Sequence, residues 1–337
     1  MKTVRWGMIG CGDVTETKSG PGFAGAANSA LVAVMRRDGA LAADYARRHG
    51  VARWHDDAQA ILSAGDIDAV YVATPPDTHR EYVERCAAAG KPVLVEKPMA
   101  RDAAECGAMI AACRVARVPL WVAYYRRSLP RFLAVRDLVL GGAIGEVRMV
   151  ISRQYQRLPS STEGLWRVDA KRSGGGLFVD MAVHTLDFWD FLFGPIASVR
   201  AHAGNRAGAY DPEDTIVASW RFASGVHGSG AWCYAADTDD EGNEIVGSSG
   251  RIRFRTTAPT PIEVLRGADV VETLAVADPP HVHQPLIQSI VDELNGAGSC
   301  PSTGESAART TAIVDAILRE VRGEARTLHE YATGART

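Results

Sequence analysis

The segment "VEKPMA" places Glu96, Lys97 and Pro98 at the end of the apolar run 92–95. A lysine at the carboxyl end of a strand can pass a proton to a carbonyl oxygen while hydride reaches the carbon, or hold that oxygen electrostatically. Pro98 permits a cis bond that would fix the lysine's aim. Taken alone, the tripeptide describes a surface lysine at a strand end equally well. A second cluster lies in "GGGLFVDMAVHTLDFWDFLFG", where Asp180, His184 and Asp187 recur at helical spacing. On one helix all three share a face. Histidine works as acid or base near neutral pH, and Asp180 could orient it or meet a substrate hydroxyl. Gly174, Gly175 and Gly176 would let the chain pass close to a ligand. Two carboxylates and one imidazole without a further ligand set are thin support for a metal, so no metal site is assigned. An amphipathic helix burying Leu186, Phe188, Phe191 and Leu192 accounts for the same pattern.

A third element is the turn "GMIGCGDVTET". Gly10 allows a tight turn after a strand. Gly12 lets backbone approach a pyrophosphate that would lie at the following helix N-terminus, beside Asp13 and Val14. Thr15 replaces the third glycine of the dinucleotide fingerprint. The motif is weak by itself; its position between strand and helix in a repeated βα pattern strengthens it.

The elements that must position these groups follow from periodicity. Residues 4–10, 31–35, 69–76, 92–98 and 119–125 read as strands. Helices are expected from the Gly-rich turn to about Ser29, and over 41–50, 79–90 and 103–116. Alternation of this kind implies a parallel sheet with right-handed crossovers. Beyond residue 125 the pattern becomes a helix at 130–141, long alternating strands at 145–156, 198–203, 214–222 and 226–234, and several more between 243 and 276. This predicts a mostly antiparallel sheet, with Ile216, Ala218, Trp220 and Phe222 on one face, and Trp232 and Tyr234 on one face of the next strand. Such faces must be covered by helix or partner. Helices at 284–295 and 304–321 close the chain. The fold class is therefore α/β: an N-terminal Rossmann domain over 1–124, then a C-terminal α+β domain over 125–337 with an open, mostly antiparallel sheet, for substrate binding and oligomerisation.

Composition is that of an ordinary soluble globular protein. Of the 337 residues, 46% are hydrophobic and 23% charged, with a net charge of −3, which gives no footprint for nucleic acid or an anionic membrane. No apolar run approaches a membrane span. Six cysteines without a C-x-x-C pair read as a reduced, cytoplasmic protein.

Together, "GMIGCGDV", "AVYVATPPDTH", "GKPVLVEKPMA", "AYYRR" and "GGGLFVDMAVHTLDF", in that order, resemble the Gfo/Idh/MocA family over nearly the whole chain. The resemblance implies a nicotinamide cofactor and reversible hydride transfer at a carbonyl or carbinol carbon, often of a sugar or polyol. It also implies pairing through the open sheet face, as a homodimer or homotetramer. It matches Lys97 to the family's catalytic lysine, Asp180 and His184 to its D-x-x-x-H pair, and Asp187 to a frequent substrate contact. It sets Thr74, Pro75 and His79 beside the cofactor and Glu96 in the wall near the nicotinamide. Tyr125 stands where many members carry asparagine. Arg126 becomes a candidate for cofactor and Arg127 for substrate. Trp166 and Arg167, in "GLWRVD", would flank cofactor and substrate. Arg153 and Tyr155 are further polar candidates for a hydroxylated ligand. In "VMRRDG", Arg36 occupies the place of the ribose-binding acid of NAD-preferring members. A guanidinium there suits a 2′-phosphate, with Arg37 beside it. NADP(H) is expected to be preferred and NAD(H) possible; Asp38 complicates that expectation. Two rivals on the same fold are a non-enzymatic sugar sensor and an NAD-assisted glycosidase.

Overall fold

Two sheets organise the chain. A computed structural model describes residues 1–322; the last part of the expected second domain, 323–337, lies outside the described residues. The first sheet contains β1 (Val4–Ile9), β2 (Ser29–Met35), β3 (Arg53–His55), β4 (Ala69–Val72), β5 (Val93–Val95) and β6 (Leu120–Val122). All neighbours are parallel, in the order β3-β2-β1-β4-β5-β6. Central strands such as β4, "AVYV", are buried throughout, as helices on both faces require. Three of the helices between these strands start where an aspartate caps them. Asp38, Asp57 and Asp102 accept from the backbone N–H groups of Leu41, Gln59 and Glu105, each cap contributing about 1 kcal/mol.

Several boundaries differ from the sequence expectation. The first helical segment ends at Gly25 rather than near Ser29, because Ala26 turns extended and Ser29 already belongs to β2. It also contains a π-type stretch, Thr15–Ser19, whose Thr15 carbonyl accepts both from Gly20 N and from the Tyr45 hydroxyl, the latter at 3.0 Å. The strand β3 and the helix Ala58–Leu62 were not expected.

The second sheet contains β7 (Val147–Arg157), β8 (Ile196–Gly204), β9 (Thr215–Phe222), β10 (His227–Ala236), β11 (Asp240–Gly247), β12 (Arg251–Phe254), β13 (Ile262–Arg266) and β14 (Asp269–Leu274). Their order is β14-β13-β12-β11-β7-β10-β9-β8. Every pair is antiparallel except β7 with β10. The inner face carries Ile216, Ala218, Trp220, Phe222, Trp232 and Tyr234, all buried. Helices of the same chain cover it: Phe178 meets Trp232 edge-on at 5.2 Å, and Trp189 meets Phe254 at 5.7 Å.

The end of the described chain returns to the first sheet. Helix Gln284–Leu294 lies on Gly20–Gly25, where Gln284 Nε2 donates to the Gly25 carbonyl at 2.8 Å. Helix Gly304–Arg322 reaches the helix Ala103–Ala116, where Ala103 N donates to Asp315 at 2.7 Å. Helix Gly304–Arg322 also packs on β8 and on the helix Val183–Phe193, so it joins the two sheets, whereas helix Gln284–Leu294 lies on the first.

Candidate active site

The order of the first sheet reverses between β1 and β4, and such a switch point opens a crevice at the carboxyl ends of the strands. Gly10 follows β1 with φ +95°, and a Cβ there would stand 2.7 Å from Thr74 Cγ2 and 2.9 Å from the Ala73 backbone. Only glycine brings the two turns together. Gly12 has nothing within 4 Å of the place a Cβ would take, so open space lies over the turn. Asp13 is exposed and Val14 half-buried beside it. Helical turns start there, and their first amide groups lack intrahelical acceptors. Thr15 is buried and closes back on Gly12, its hydroxyl donating to the Gly12 carbonyl at 2.7 Å.

At the end of β2, Arg36 leans over this turn and donates from Nη1 to the Cys11 carbonyl at 3.3 Å. Arg37 is exposed. Asp38 is occupied as the cap of helix Gly39–His49, accepting from Leu41 N at 3.1 Å. The turn after β4 leaves Thr74 and Pro75 half-exposed to the crevice. His79 differs from expectation. It is fully buried, with Nε2 2.7 Å from the Thr74 carbonyl and Nδ1 3.1 Å from the Pro98 and Met99 carbonyls. It clamps the Thr74 turn to the segment after β5 and has no surface to offer a cofactor.

That segment carries Lys97, and the Lys97–Pro98 bond is cis. Lys97 Nζ donates to Asp180 Oδ1 at 2.7 Å and to the Asp180 carbonyl at 3.0 Å. Arg167 Nε donates to the other carboxylate oxygen at 3.1 Å, and its guanidinium lies 4.6 Å from the Trp166 ring centre. Burial alone would raise the Asp180 carboxyl, but the charge and hydrogen bond of Lys97, with Arg167, hold it below its ordinary value. Asp180 and His184 do not share one continuous helix. Asp180 belongs to Leu177–Met181 and His184 to Val183–Phe193, with Ala182 between. The His184 ring is buried edge-on to Tyr125 at 5.8 Å. Burial first, then the positive charges of Arg126, Lys97, Lys18 and His283, push its pKa well below the usual histidine value. It is a neutral imidazole whose ring nitrogens have no hydrogen-bond partner among the described residues.

Behind Lys97, Glu96 is buried with both oxygens engaged. Tyr71 donates its hydroxyl to Oε1 at 2.6 Å, His283 Nε2 stands 3.0 Å from the same oxygen, and Lys97 N donates to Oε2 at 3.0 Å. Burial pushes this carboxyl up, but the bond and charge of His283, with Tyr71 and Lys97, bring it to about 2. Glu96 therefore sets the backbone at Lys97 instead of presenting an oxygen to a ligand. His283 was missed by sequence reasoning, as was Lys18. His283 also packs on the Tyr125 ring at 4.4 Å, with the Arg126 guanidinium 4.9 Å from that ring centre. Nothing in "HVHQP" marks it, because its partners come from β4, β5 and the turn after β6.

Four expected substrate contacts are not brought to Lys97. Arg127 and Asp187 are buried against each other at 2.7 Å, with Asp190 on the arginine and the Thr310 hydroxyl on Asp187. Their hydrogen-bonding groups are used up inside the protein. Arg153 and Tyr155 lie on the outer face of β7, Arg153 paired with Asp240 at 2.8 Å. The alternation of β7 turns Ser152 and Gln154 inward instead, where Ser152 accepts from Trp189 Nε1 at 2.9 Å and Gln154 from the Tyr234 hydroxyl at 3.1 Å. The three glycines also pass close to protein rather than ligand: Gly174 lies against the Arg101 backbone and Gly176 against Pro212 and Tyr210. Among the described residues, no three His, Cys, Asp or Glu side chains group as a metal site would require.

Comparison with known proteins adds the following. Residues 4–124 match an oxidoreductase family described as having an NAD-binding Rossmann fold, and residues 132–253 match the GFO/IDH/MocA C-terminal domain. Oxidoreductase P35 of Formosa agariphila is 37% identical over 321 residues, 93% of this chain and 97% of its own. Inositol 2-dehydrogenase of Rhizobium meliloti is 31% identical over 336 residues, 95% of this chain and 97% of its own. The crystal structure of an aldose-aldose oxidoreductase from Caulobacter crescentus, complexed with glycerol, superimposes with a TM-score of 0.86 at 25% identity, over 95% of this chain and 98% of that one.

Proposed function

The chain belongs to the Gfo/Idh/MocA family of NAD-binding oxidoreductases, and from that premise we propose that it moves hydride between NADP(H) and a carbonyl or carbinol carbon of a sugar, polyol or related hydroxylated molecule. The observation that carries this reading is the Lys97–Asp180 pair, at 2.7 Å, beside a neutral His184 at the carboxyl ends of the first sheet. The relatives named as inositol 2-dehydrogenase and 1,5-anhydro-D-fructose reductase support the substrate class.

The chain fits a dinucleotide. Gly10, Gly12, Asp13 and Val14 would hold its pyrophosphate, Thr74 and Pro75 its flank, and Trp166 and Arg167 its nicotinamide end. When bound, the group supplies or accepts the hydride. Lys97 Nζ gives a hydrogen bond to the substrate oxygen and, in the reducing direction, passes its proton there. Asp180 orients that ammonium and balances its charge. His184, being neutral, offers a single N–H and is a poor acid, so it positions the oxygen while Lys97 transfers the proton.

The preference for NADP(H), with NAD(H) as the weaker alternative, is supported by Arg36. It follows β2 and reaches the glycine turn at the Cys11 carbonyl, and Asp38, which could have received ribose hydroxyls, is spent as a helix cap. We further propose a homodimer or homotetramer formed through the outer face of the second sheet, which the described helices leave open. The cytoplasmic assignment is supported by six free cysteines; no described helix is long and apolar enough to cross a membrane. The test is a screen of NADPH oxidation and NADP⁺ reduction, followed by absorbance, over sugars, polyols and dicarbonyls. An Arg36→Asp change should lower the NADP-over-NAD ratio of kcat/KM by about 100-fold, the loss of one charge-assisted pair. An unchanged ratio would refute the cofactor preference, and no turnover across the panel would refute the reaction.

A further inference from the structure

Three arginines follow β6 and all are buried, but their surroundings differ. Arg127 rests on Asp187 and Asp190, and Arg131 reaches Asp278 at 3.4 Å. Arg126, 7% exposed, has no carboxylate partner among the described residues. Its Nε donates to the Thr256 carbonyl at 3.0 Å, and its guanidinium lies 4.9 Å from the Tyr125 ring centre and 5.9 Å from that of Phe132. Its Nη1 is buried with no partner at all. Ring faces and one carbonyl offset only part of the cost of taking a guanidinium out of water. A buried cation kept without a counter-charge next to reacting groups calls for an anion from outside.

The charges around it point the same way. Lys97 and Arg167 share Asp180, and Glu96 is matched by His283, Tyr71 and the Lys97 amide. Arg126 and Lys18 are left without an acid among the described residues. Both act on His184, together with Lys97 and His283. The cofactor's pyrophosphate is too far to be the missing anion. Arg126 follows β6, three strands from the Gly12 turn after β1, which is about 14 Å at the usual strand spacing, and it points to Thr256 beyond the second sheet's β12. Lys97 follows β5, only one strand away.

We infer that Arg126 binds an anionic group of the substrate, a carboxylate, while the carbon that exchanges hydride lies at Lys97 and His184; the substrate is then a sugar acid or polyhydroxy acid. This rests on the oxidoreductase reading above, and it gives Arg126 to the substrate rather than to the cofactor. A phosphate ester shares the anionic oxygens, so the test separates the two.

The protein saturated with NADP⁺ is titrated calorimetrically with D-gluconate, D-glucitol and D-glucitol 6-phosphate, three probes on one carbon skeleton. Gluconate should bind at least about tenfold more tightly than glucitol at low salt, with the advantage shrinking as salt rises. Arg126→Gln should weaken gluconate about 100-fold and leave glucitol within about twofold. Arg126→Lys should keep part of the advantage, and its retained charge preserves the test if Arg126→Gln does not fold. Equal binding of gluconate and glucitol by the wild type would overturn the inference. An advantage confined to glucitol 6-phosphate would overturn the carboxylate. Turnover of neutral sugars only, without preference for acids, would sink this inference and spare the oxidoreductase. Acid binding through Arg126 without any nicotinamide turnover would do the reverse.

Discussion

Lys97→Met is the substitution on which the proposed chemistry depends most directly. Methionine keeps an unbranched side chain one atom shorter and removes both the proton and the charge. Two losses follow, and they can be separated. The first is catalytic. A positioned proton donor contributes about 10²–10⁴ in rate, or ~3–5 kcal/mol of barrier, so kcat should fall about 1000-fold. The second is structural. Asp180 is 7% exposed and would keep only Arg167, at 3.1 Å, as its cation. Stranding one member of a buried pair costs about 3–5 kcal/mol. The surviving Arg167 bond, made by a side chain that is 39% exposed, should hold the cost near the lower end. That is less than the ~5–15 kcal/mol of a typical domain, so the variant should fold and keep its affinity for NADP⁺, because Lys97 is not part of the Gly12 turn. Adding Asp180→Asn removes the stranded charge. The double variant should regain most of the lost stability and none of the turnover. Stopped-flow reduction of NADP⁺, fluorescence titration of the cofactor and urea unfolding read the three quantities. Turnover within tenfold of wild type in Lys97→Met, or recovery of turnover in the double variant, would refute the role given to Lys97.

Four other outcomes follow from the same geometry. Gly10→Ala should cost about 2 kcal/mol or more, since φ +95° is strained for any side chain and the new Cβ meets Thr74. Gly12→Ala should leave the unfolding midpoint alone yet weaken dinucleotide binding at least about tenfold, because its Cβ enters only the open space. Thermal melts with and without NADP⁺ distinguish them. His184 has a lowered folded pKa, so below about pH 6.5 the unfolded chain takes up a proton that the folded chain refuses, and stability falls with pH. His184→Asn should reduce that slope by up to one proton, about 1.4 kcal/mol per pH unit at its limit, while buried His79, whose pKa is also lowered by burial, acts in the same direction and remains. Urea titrations between pH 7 and 5 measure it; an unchanged slope would mean that His184 is charged in the folded state. Arg153→Ala should keep kcat/KM within about twofold, because the exposed Arg153–Asp240 pair is worth at most ~1 kcal/mol and faces away from Lys97.

The wrong assignment of Arg153 and Tyr155 shows where sequence reading loses its signal. In β9 the inward residues are Ile216, Ala218, Trp220 and Phe222, and of the outward ones only Val217 is a large apolar residue, so the phase is plain. In β7 the inward residues include Ser152 and Gln154, while Ile151 points out. Inward polar groups satisfied by Trp189 and Tyr234 imitate an outward face, and a one-residue error in phase moves every side chain to the other side. The helix break at Ala182 is a related case. Asp180, His184 and Asp187 have the spacing of one helical face, but the break separates Asp180 from the helix that carries the other two, and Asp187 is taken up by Arg127. Nothing in "VDMAVHTLD" signals it, since alanine does not interrupt a helix by its own preference. The β-α alternation, the Gly10–Gly12 turn and the strand-end lysine were legible because each depends on local chemistry. The 2.7 Å contact of Lys97 with Asp180 joins residues 83 positions apart, and no local pattern encodes such a meeting. The family resemblance assigned both residues to one site, but it paired Asp180 with His184 rather than with Lys97.

The reactive groups come from different layers, and this explains why so much buried polarity surrounds them. Lys97 leaves the first sheet, whereas Asp180 and His184 ride on helices that cover the second. Their relative position cannot be set by either sheet alone. Two links bridge the gap. Arg127, after β6, grips Asp187 and Asp190 on the helix of His184. Gly174 lets the chain before Asp180 lie on the Arg101 backbone, just after Lys97. Within the first layer, His283 begins the helix that lies on Gly20–Gly25, and it holds Glu96 beside Lys97. A buried ion pair such as Arg127–Asp187 is weak evidence for stability, because desolvation cancels much of its attraction. Its directional bonds are better evidence for registry. Apolar packing tolerates sliding by fractions of an ångström, while a bidentate guanidinium on two carboxylates does not. An apolar replacement of that pair should therefore leave the protein folded and impair turnover more than cofactor binding, since the cofactor turn belongs wholly to the first sheet.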